Sequence, residues 1–260
     1  MNIFRYMAVS FSLYSRIPMP SFAWKEEDMA HSLLFFPWVG AVIGALVFGA
    51  GLLTYRLNLP FWVSGITALL IPVLLTGGFH LDGYMDTKDA LSSYASKEKK
   101  LEILKDPHVG SFAVIGLITR VILFGTALCL IMMWGDIRTL IATGILFFNS
   151  RALSGILALC LPKAKKDGML AKETKGRNVA DIVFLSIQLA IGIAGTAVCD
   201  SGFAIAEICF AGIFILYYIC KTKKEFGGVT GDTAGFFVTV FESDTCVLVS
   251  IMLGVLGFVM

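Results

Sequence analysis

Apolar runs close to twenty residues long recur along this chain, near positions 35–55, 60–79, 112–134, 138–160, 180–199, 202–220 and 236–260. A helix needs ~20 such residues to cross the ~30 Å hydrocarbon core of a bilayer. Inside lipid every backbone N–H and C=O must be bonded internally, which leaves helices or closed barrels as spanning structures. A barrel strand would show ~10 residues of alternating polarity, and these runs do not alternate. Only 15% of residues are charged, where a soluble domain carries about a quarter. The chain is therefore expected to be an all-α, polytopic integral membrane helical bundle. It should have about seven transmembrane helices and form one domain over 1–260. The final run starts polar, so its first part should lie outside the bilayer or line a cavity.

The first 34 residues are mixed. Phe4, Met7, Phe11 and Tyr14 share one helical stripe, which predicts an interfacial or re-entrant helix ended by Pro18 and Pro20. Arg5 and Arg16 interrupt this segment, and it does not resemble a cleavable signal. The six cysteines form no Cys-x-x-Cys pair and read as packing residues. Basic residues give the orientation. With seven spans, the connections on one side hold seventeen Lys and Arg and those on the other hold two. The N-terminus and the loops 80–111, 161–179 and 221–234 should thus face the cytoplasm, with the C-terminus outside. Arg120 and Arg151 fall inside apolar runs. A charge there is expensive and either functional or snorkelling. Arg151, near the middle of its run beside Asn149, is the stronger functional candidate, as partner to an acid or a phosphate.

Charge is scarce, yet eleven Asp, Glu, Lys or Arg residues fall between Asp82 and Asp106. Asp82, Asp86 and Asp89 are spaced i, i+4, i+7, within roughly a 60° arc of one helix face. Like charges at i,i+4 repel. A solvated acidic face is the bland explanation. The flanking Gly77, Gly78 and Gly83 and the local density of charge favour a site instead. A hard divalent cation bound by oxygen, Mg²⁺ above all, would offset the repulsion. With Lys105 and other basic residues near, the chemistry expected is on phosphate.

A second glycine-rich stretch, Gly227-Gly-Val-Thr-Gly-Asp-Thr, opens the last apolar run. Gly228 and Gly231 would let backbone N–H groups at a helix start meet an anion. Asp232 would cap that helix, bind metal or hold a substrate hydroxyl. His80 points away from the acid stripe on a helical wheel, and His108 follows Pro107 in a loop; packing or solvation is the simpler role for each.

The residues Gly77-Gly-Phe-His-Leu-Asp-Gly-Tyr-Met-Asp-Thr-Lys-Asp-Ala-Leu, then Lys100-Leu-Glu-Ile-Leu-Lys-Asp-Pro-His-Val-Gly, resemble the signature of the cobalamin synthase family. Ser15-Arg-Ile-Pro-Met-Pro, Phe36-Pro-Trp-Val-Gly, Asn149-Ser-Arg and Gly227-Gly-Val-Thr-Gly-Asp-Thr follow in the family's order and cover most of the chain. The family is also called adenosylcobinamide-GDP ribazoletransferase. The resemblance implies a multi-pass enzyme of the prokaryotic cytoplasmic (inner) membrane, dependent on Mg²⁺, with its active site facing the cytoplasm. Its substrates would be adenosylcobinamide-GDP and α-ribazole or its 5′-phosphate, and GMP would leave. Its partners would be these molecules and the lipid bilayer, with no nucleic acid. A homo-oligomer, or a complex with other cobalamin-assembly enzymes, is compatible with that reading. Under it, Asp82, Asp86 and Asp89 are metal ligands and catalytic together with Asp232, while Arg151, Lys105, Asn149, Gly228 and Gly231 contact substrate. The chain departs from the family at Lys88-Asp-Ala-Leu-Ser-Ser, where a glycine is replaced by Ala90. It departs again at Val238 and Thr239, where an Asn and a Glu are usual and only Glu242 remains.

Two alternatives stay open. Another membrane phospho-alcohol transferase would use similar chemistry, but its usual Ala-Arg element is missing. A divalent cation transporter would place its acids at mid-membrane in a repeated architecture; here they cluster at a boundary and no repeat is visible.

Overall fold

The computed structural model describes residues 3–164, 168–176 and 178–259, with side chains to position 255. Lys165, Lys166 and Arg177 of the basic loop, and Met260 at the end of the last expected span, lie outside the described residues. Twelve α-helices and one 3₁₀ turn make up the described chain, and among those residues there is no β-strand.

Among the described residues, six helices are long and apolar enough to cross a membrane. They contain or coincide with α3 (Phe36–Arg56), α7 (Ser111–Trp134), α8 (Ile137–Cys160), α10 (Val179–Cys199), α11 (Ser201–Phe226) and α12 (Gly231–Val259). The expected run 60–79 resolves into a shorter helix, α4 (Phe61–Thr76), followed at 92° by α5 (Phe79–Ser92). At ~1.5 Å per residue α4 is ~24 Å long, short of a full crossing unless the corner itself completes it. The corner is made by Gly77 and Gly78, at φ +67° and +82°. Only glycine takes two such left-handed residues in succession without a Cβ penalty. Gly78 N–H donates to Val73 O at 2.9 Å, which closes the end of α4.

The spans pack closely because small residues meet. Gly40 and Gly44 of α3 lie against the backbones of Phe147 and Gly144 of α8, where a Cβ on either glycine would collide. This is the small-x3-small contact that membrane helices use in place of a hydrophobic driving force. α8 is the central helix, buried along most of its length.

The expected amphipathic start is α1 (Ile3–Tyr14), but its buried side is rotated. Tyr6, Val9, Phe11 and Tyr14 are buried, whereas Phe4 is 57% exposed. The reason lies in α2 (Glu26–Ala30): Arg5 reaches Asp28 through Nε at 3.1 Å and Nη2 at 2.5 Å, and Tyr6 OH donates to Glu27 at 2.6 Å. These bonds set the face of α1 that turns inward. The bond from Arg5 also holds the Asp28 carboxyl below the usual range.

α11 runs on to Phe226, so Lys221, Lys223 and Lys224 extend from the end of a span rather than from a loop. α12 starts at Gly231, five residues before the expected run, and its first turns are buried against α5. Short helices α6 (Lys97–Ile103) and α9 (Met169–Glu173) complete this end of the bundle. The Lys100–Glu225 ion pair ties α6 to α11.

A candidate active site where α5 crosses α12

The site stands where two glycines remove the side chains that would keep two helices apart. A Cβ on Gly83 of α5 would lie 2.8 Å from Asp232 O, and one on Gly235 of α12 would lie 2.8 Å from His80 O. The backbones therefore touch. As a result Asp82 and Asp232, the residues next to Gly83 and Gly231, line one cavity of about 280 Å³. Its other walls include Phe79, Lys163, Leu170 and Thr230.

The two glycine motifs are thus parts of one place, although about 150 residues of sequence separate them. Thr230 caps α12: its Oγ1 accepts from Thr233 N–H at 3.1 Å, and Thr230 N–H donates to Thr233 Oγ1 at 2.8 Å. Thr230 supplies the cap, and Asp232 lines the cavity, where Thr230 Oγ1 donates to its Oδ2 at 3.3 Å. Gly231 has open space where a side chain would be. Gly228 lies instead against the backbone of Pro162, Lys163 and Ala164, and Val229 bonds that segment as an isolated parallel bridge. Its role is to let the loop carrying Lys163 close over the cavity.

Asp82, Asp86 and Asp89 share a face of α5 as expected, but they do not converge. Positions i and i+7 are ~10.5 Å apart along a helix axis. The Asp89 carboxylate rests against Gly110, at the start of α7. Among the described residues no three Asp, Glu, His or Cys side chains come together as a metal site. The donors that line the cavity, two carboxylates and a threonine hydroxyl, are hard oxygens. They suit the way Mg²⁺ is usually held, by one or two carboxylates with substrate phosphates completing the shell.

The remaining expected site residues lie elsewhere. Lys105 is exposed beyond α6, adjacent to the cavity-lining Leu104. Asn149 is fully buried and donates to Glu207 at 3.0 Å and Thr196 at 3.3 Å; it does not line this cavity. Arg151, 1% exposed, pairs with Glu242, so of its two expected partners the protein supplies the acid. Arg120 likewise pairs with Asp244 and Ser243. His80 is buried and stacks on Phe36 at 5.4 Å, and His108 is exposed with Nδ1 2.6 Å from Asp106.

Two residues of this region are not evident from the sequence. Lys163 lines the cavity and donates to Leu161 O at 2.7 Å and to Ala158 O. Glu173 is 1% exposed on α9 and accepts from Tyr14 OH at 2.6 Å; burial raises its carboxyl to about 7. Glu242, expected only as the acid remaining after the departures at Val238 and Thr239, is buried and holds Arg151.

The cavity-lining residues gather at one end of the bundle, between the starts of α5 and α12 and the loop after α8. Fold and cavity define a polytopic helical membrane protein with a pocket that carries two carboxylates at one end of the bundle. The family model for cobalamin-5-phosphate synthase matches residues 6–252, and the chain belongs to that family. It is a membrane-embedded transferase of cobalamin synthesis. A Lachnoclostridium phytofermentans protein named adenosylcobinamide-GDP ribazoletransferase is 35% identical over 90% of this chain and 88% of its own. Proteins of the same name from Clostridium perfringens strain 13 (32% identical; 97% of this chain and 100% of that one) and Pseudomonas syringae pv. syringae (34% identical; 89% and 91%) are similar over nearly their whole length. No solved structure matches.

Proposed function

We propose that this protein transfers the cobinamide phosphate group of adenosylcobinamide-GDP to α-ribazole or its 5′-phosphate, releasing GMP, in the cavity between Asp82 and Asp232. The observation that supports this most directly is the shared cavity itself: the two Asp-Gly elements form one oxygen-lined pocket at a membrane face. In the reaction a ribazole hydroxyl oxygen forms a bond to the phosphorus borne by the cobinamide arm. The bond from that phosphorus to the bridging oxygen of GMP breaks, and GMP keeps the electron pair. One of the two carboxylates accepts the hydroxyl proton.

Mg²⁺ held by Asp82 and Asp232, with Asp86 one turn along α5, would neutralise the diphosphate charge when bound. The protein's own contribution is largely positional. Thr230 fixes Asp232, the Gly83–Gly235 contact fixes the separation of α5 from α12, and Lys163 adds positive charge beside the phosphates. The basic asymmetry of the loops supports a cytoplasmic position for this face in a prokaryotic inner membrane, where nucleotide substrate would be supplied and GMP released.

The test is GMP release from adenosylcobinamide-GDP by protein in vesicles. Asp82→Asn and Asp232→Asn should each lower turnover by a factor of about 10² or more, the order expected for losing a proton-transfer group or more, and chelation should silence the parent. Near-normal turnover in both variants would refute the proposal.

A further inference from the structure

A second cavity, of about 290 Å³, opens beside the first but is not lined by Asp82. Leu69 and Val73 of α4, Leu117 and Phe124 of α7 and Val238 of α12 give it apolar walls. Its polar end is made by Arg120, Arg151, His80 and Glu242. Three nitrogens on these side chains, Arg120 Nε, Arg151 Nε and His80 Nε2, are buried without a hydrogen-bond partner. A guanidinium Nε–H can only donate, and a buried donor left unmade costs about 1–3 kcal/mol.

The chemistry wanted here is narrow. Arg151 and Arg120 are already matched by Glu242 and Asp244, so the charge is balanced and an anion gains little. What is lacking is an uncharged acceptor on an otherwise apolar body. At about 290 Å³ the space sits at the small end of the roughly 300–1,000 Å³ range of ligand sites, enough for a bicyclic ring and too little for a nucleotide or a corrin. Gly78 lines the cavity mouth with open space in place of a side chain, and Asp82 lies one helical turn beyond, its N–H donating to Gly78 O at 2.8 Å.

We infer that this cavity seats the benzimidazole base of the ribazole substrate, a flat apolar heterocycle whose one unsubstituted ring nitrogen accepts a hydrogen bond. The ribose then passes Gly78 and brings its hydroxyl toward Asp82. This deepens the ribazole-transfer reading and rests on it. A lipid acyl chain would fill the walls but offer no acceptor to the nitrogens.

The inference is tested with GMP release by the parent protein in vesicles, using free 5,6-dimethylbenzimidazole as probe. It should inhibit competitively against α-ribazole and not against adenosylcobinamide-GDP, and it should raise the melting temperature of the parent. Val121→Phe places bulk in the cavity from a residue that is 39% exposed, so folding is spared. This variant should raise KM for α-ribazole on the order of tenfold, with KM for the corrinoid unchanged, and should lose the thermal shift. Competition against the corrinoid, or an unchanged ribazole KM in Val121→Phe, would overturn the inference while leaving the transfer reaction intact. A phospholipid co-purifying with the parent and lost from Val121→Phe, without a change in ribazole KM, would assign the cavity to lipid and also overturn it. Absence of GMP release by the parent would remove the transfer reading, and the inference with it.

Discussion

Glu242→Gln keeps the size of a buried side chain and removes its charge, leaving Arg151 alone in the interior. Glu242 accepts from Arg151 Nη1 and from Ser150 Oγ, the latter at 2.6 Å, and Arg151 also donates to Phe147 O at 2.8 Å. With Arg151 only 1% exposed, the stranded guanidinium has no water to turn to. Breaking one side of such a pair costs about 3–5 kcal/mol. For a chain of this size each kcal/mol moves the melting temperature by about 2–4 °C, so a fall of about 10 °C is expected in detergent-solubilised protein. The double substitution Arg151→Met with Glu242→Leu should recover most of that loss, because replacing both ions by apolar groups of similar volume is near neutral. KM for adenosylcobinamide-GDP should stay at the parent value in the double variant, since the pair spends its charge internally. A melting temperature within 2 °C of the parent for Glu242→Gln would refute the reasoning. So would a raised corrinoid KM in a stable double variant, which would make Arg151 a phosphate ligand.

Gly83→Val should abolish turnover and destabilise by about 1–3 kcal/mol, as overpacking does, because its Cβ would meet the backbone of Asp232; activity within a few-fold of the parent would show that the helices need not touch. Glu173 has a folded-state value of about 7 against an ordinary 4.5. The unfolded chain therefore gives up its proton first, and stability falls as pH rises from about 4.5 to about 7, by about 3 kcal/mol in full. Glu173→Gln should flatten melting temperature against pH across that window; an unchanged slope would exclude Glu173 as the source. Single cysteines at Ser96, Lys172 and Lys223 in a cysteine-free background should resist an impermeant thiol reagent in intact cells and label once cells are opened, whereas one at Asp200 should label from outside.

Apolar length and residue type carried most of the architecture. The ends of α7, α8 and α10 fall within a residue or so of the expected runs: α7 is bounded by Gly110 and Gly135, while α8 and α10 start at polar caps, Asp136 accepting from Thr139 N–H at 2.9 Å and Asn178 from Asp181 N–H at 2.9 Å. The corner at Gly77–Gly78 was not legible as a corner. Hydropathy records that a segment is apolar, not which way it points, so a short helix turning through 92° reads as a span followed by a loop. The face of α1 differs from the expected stripe for a related reason, since the Arg5–Asp28 bond that orients it joins residues 23 apart.

The site was half legible, and the missing half follows a physical rule. Asp82 and Asp232 carry their own signal, a carboxylate beside glycine at a helix start. Lys163 and Glu173 carry none, because each matters only through residues distant in sequence, Val229 for the loop of Lys163 and Tyr14 for Glu173. Arg151 and Arg120 carried a signal that could have been taken further. An intramembrane cation needs a partner, and the last span offers two acids in Glu242 and Asp244. Pairing the two cations with these acids would have anticipated both ion pairs. With both cations matched inside the spans, phosphate ligands are expected where α5 and α12 cross. The departures at Val238 and Thr239 lie next to that crossing, and both residues line the second cavity. Replacing a polar pair there makes its wall more apolar without touching Asp82 or Asp232. Variation at these two positions should therefore alter what fills the second cavity and leave the phosphate chemistry in place. Restoring Val238→Asn should shift the preference among benzimidazole bases of different polarity, at constant turnover with each saturating base; a loss of turnover with every base would place Val238 in the reacting centre instead.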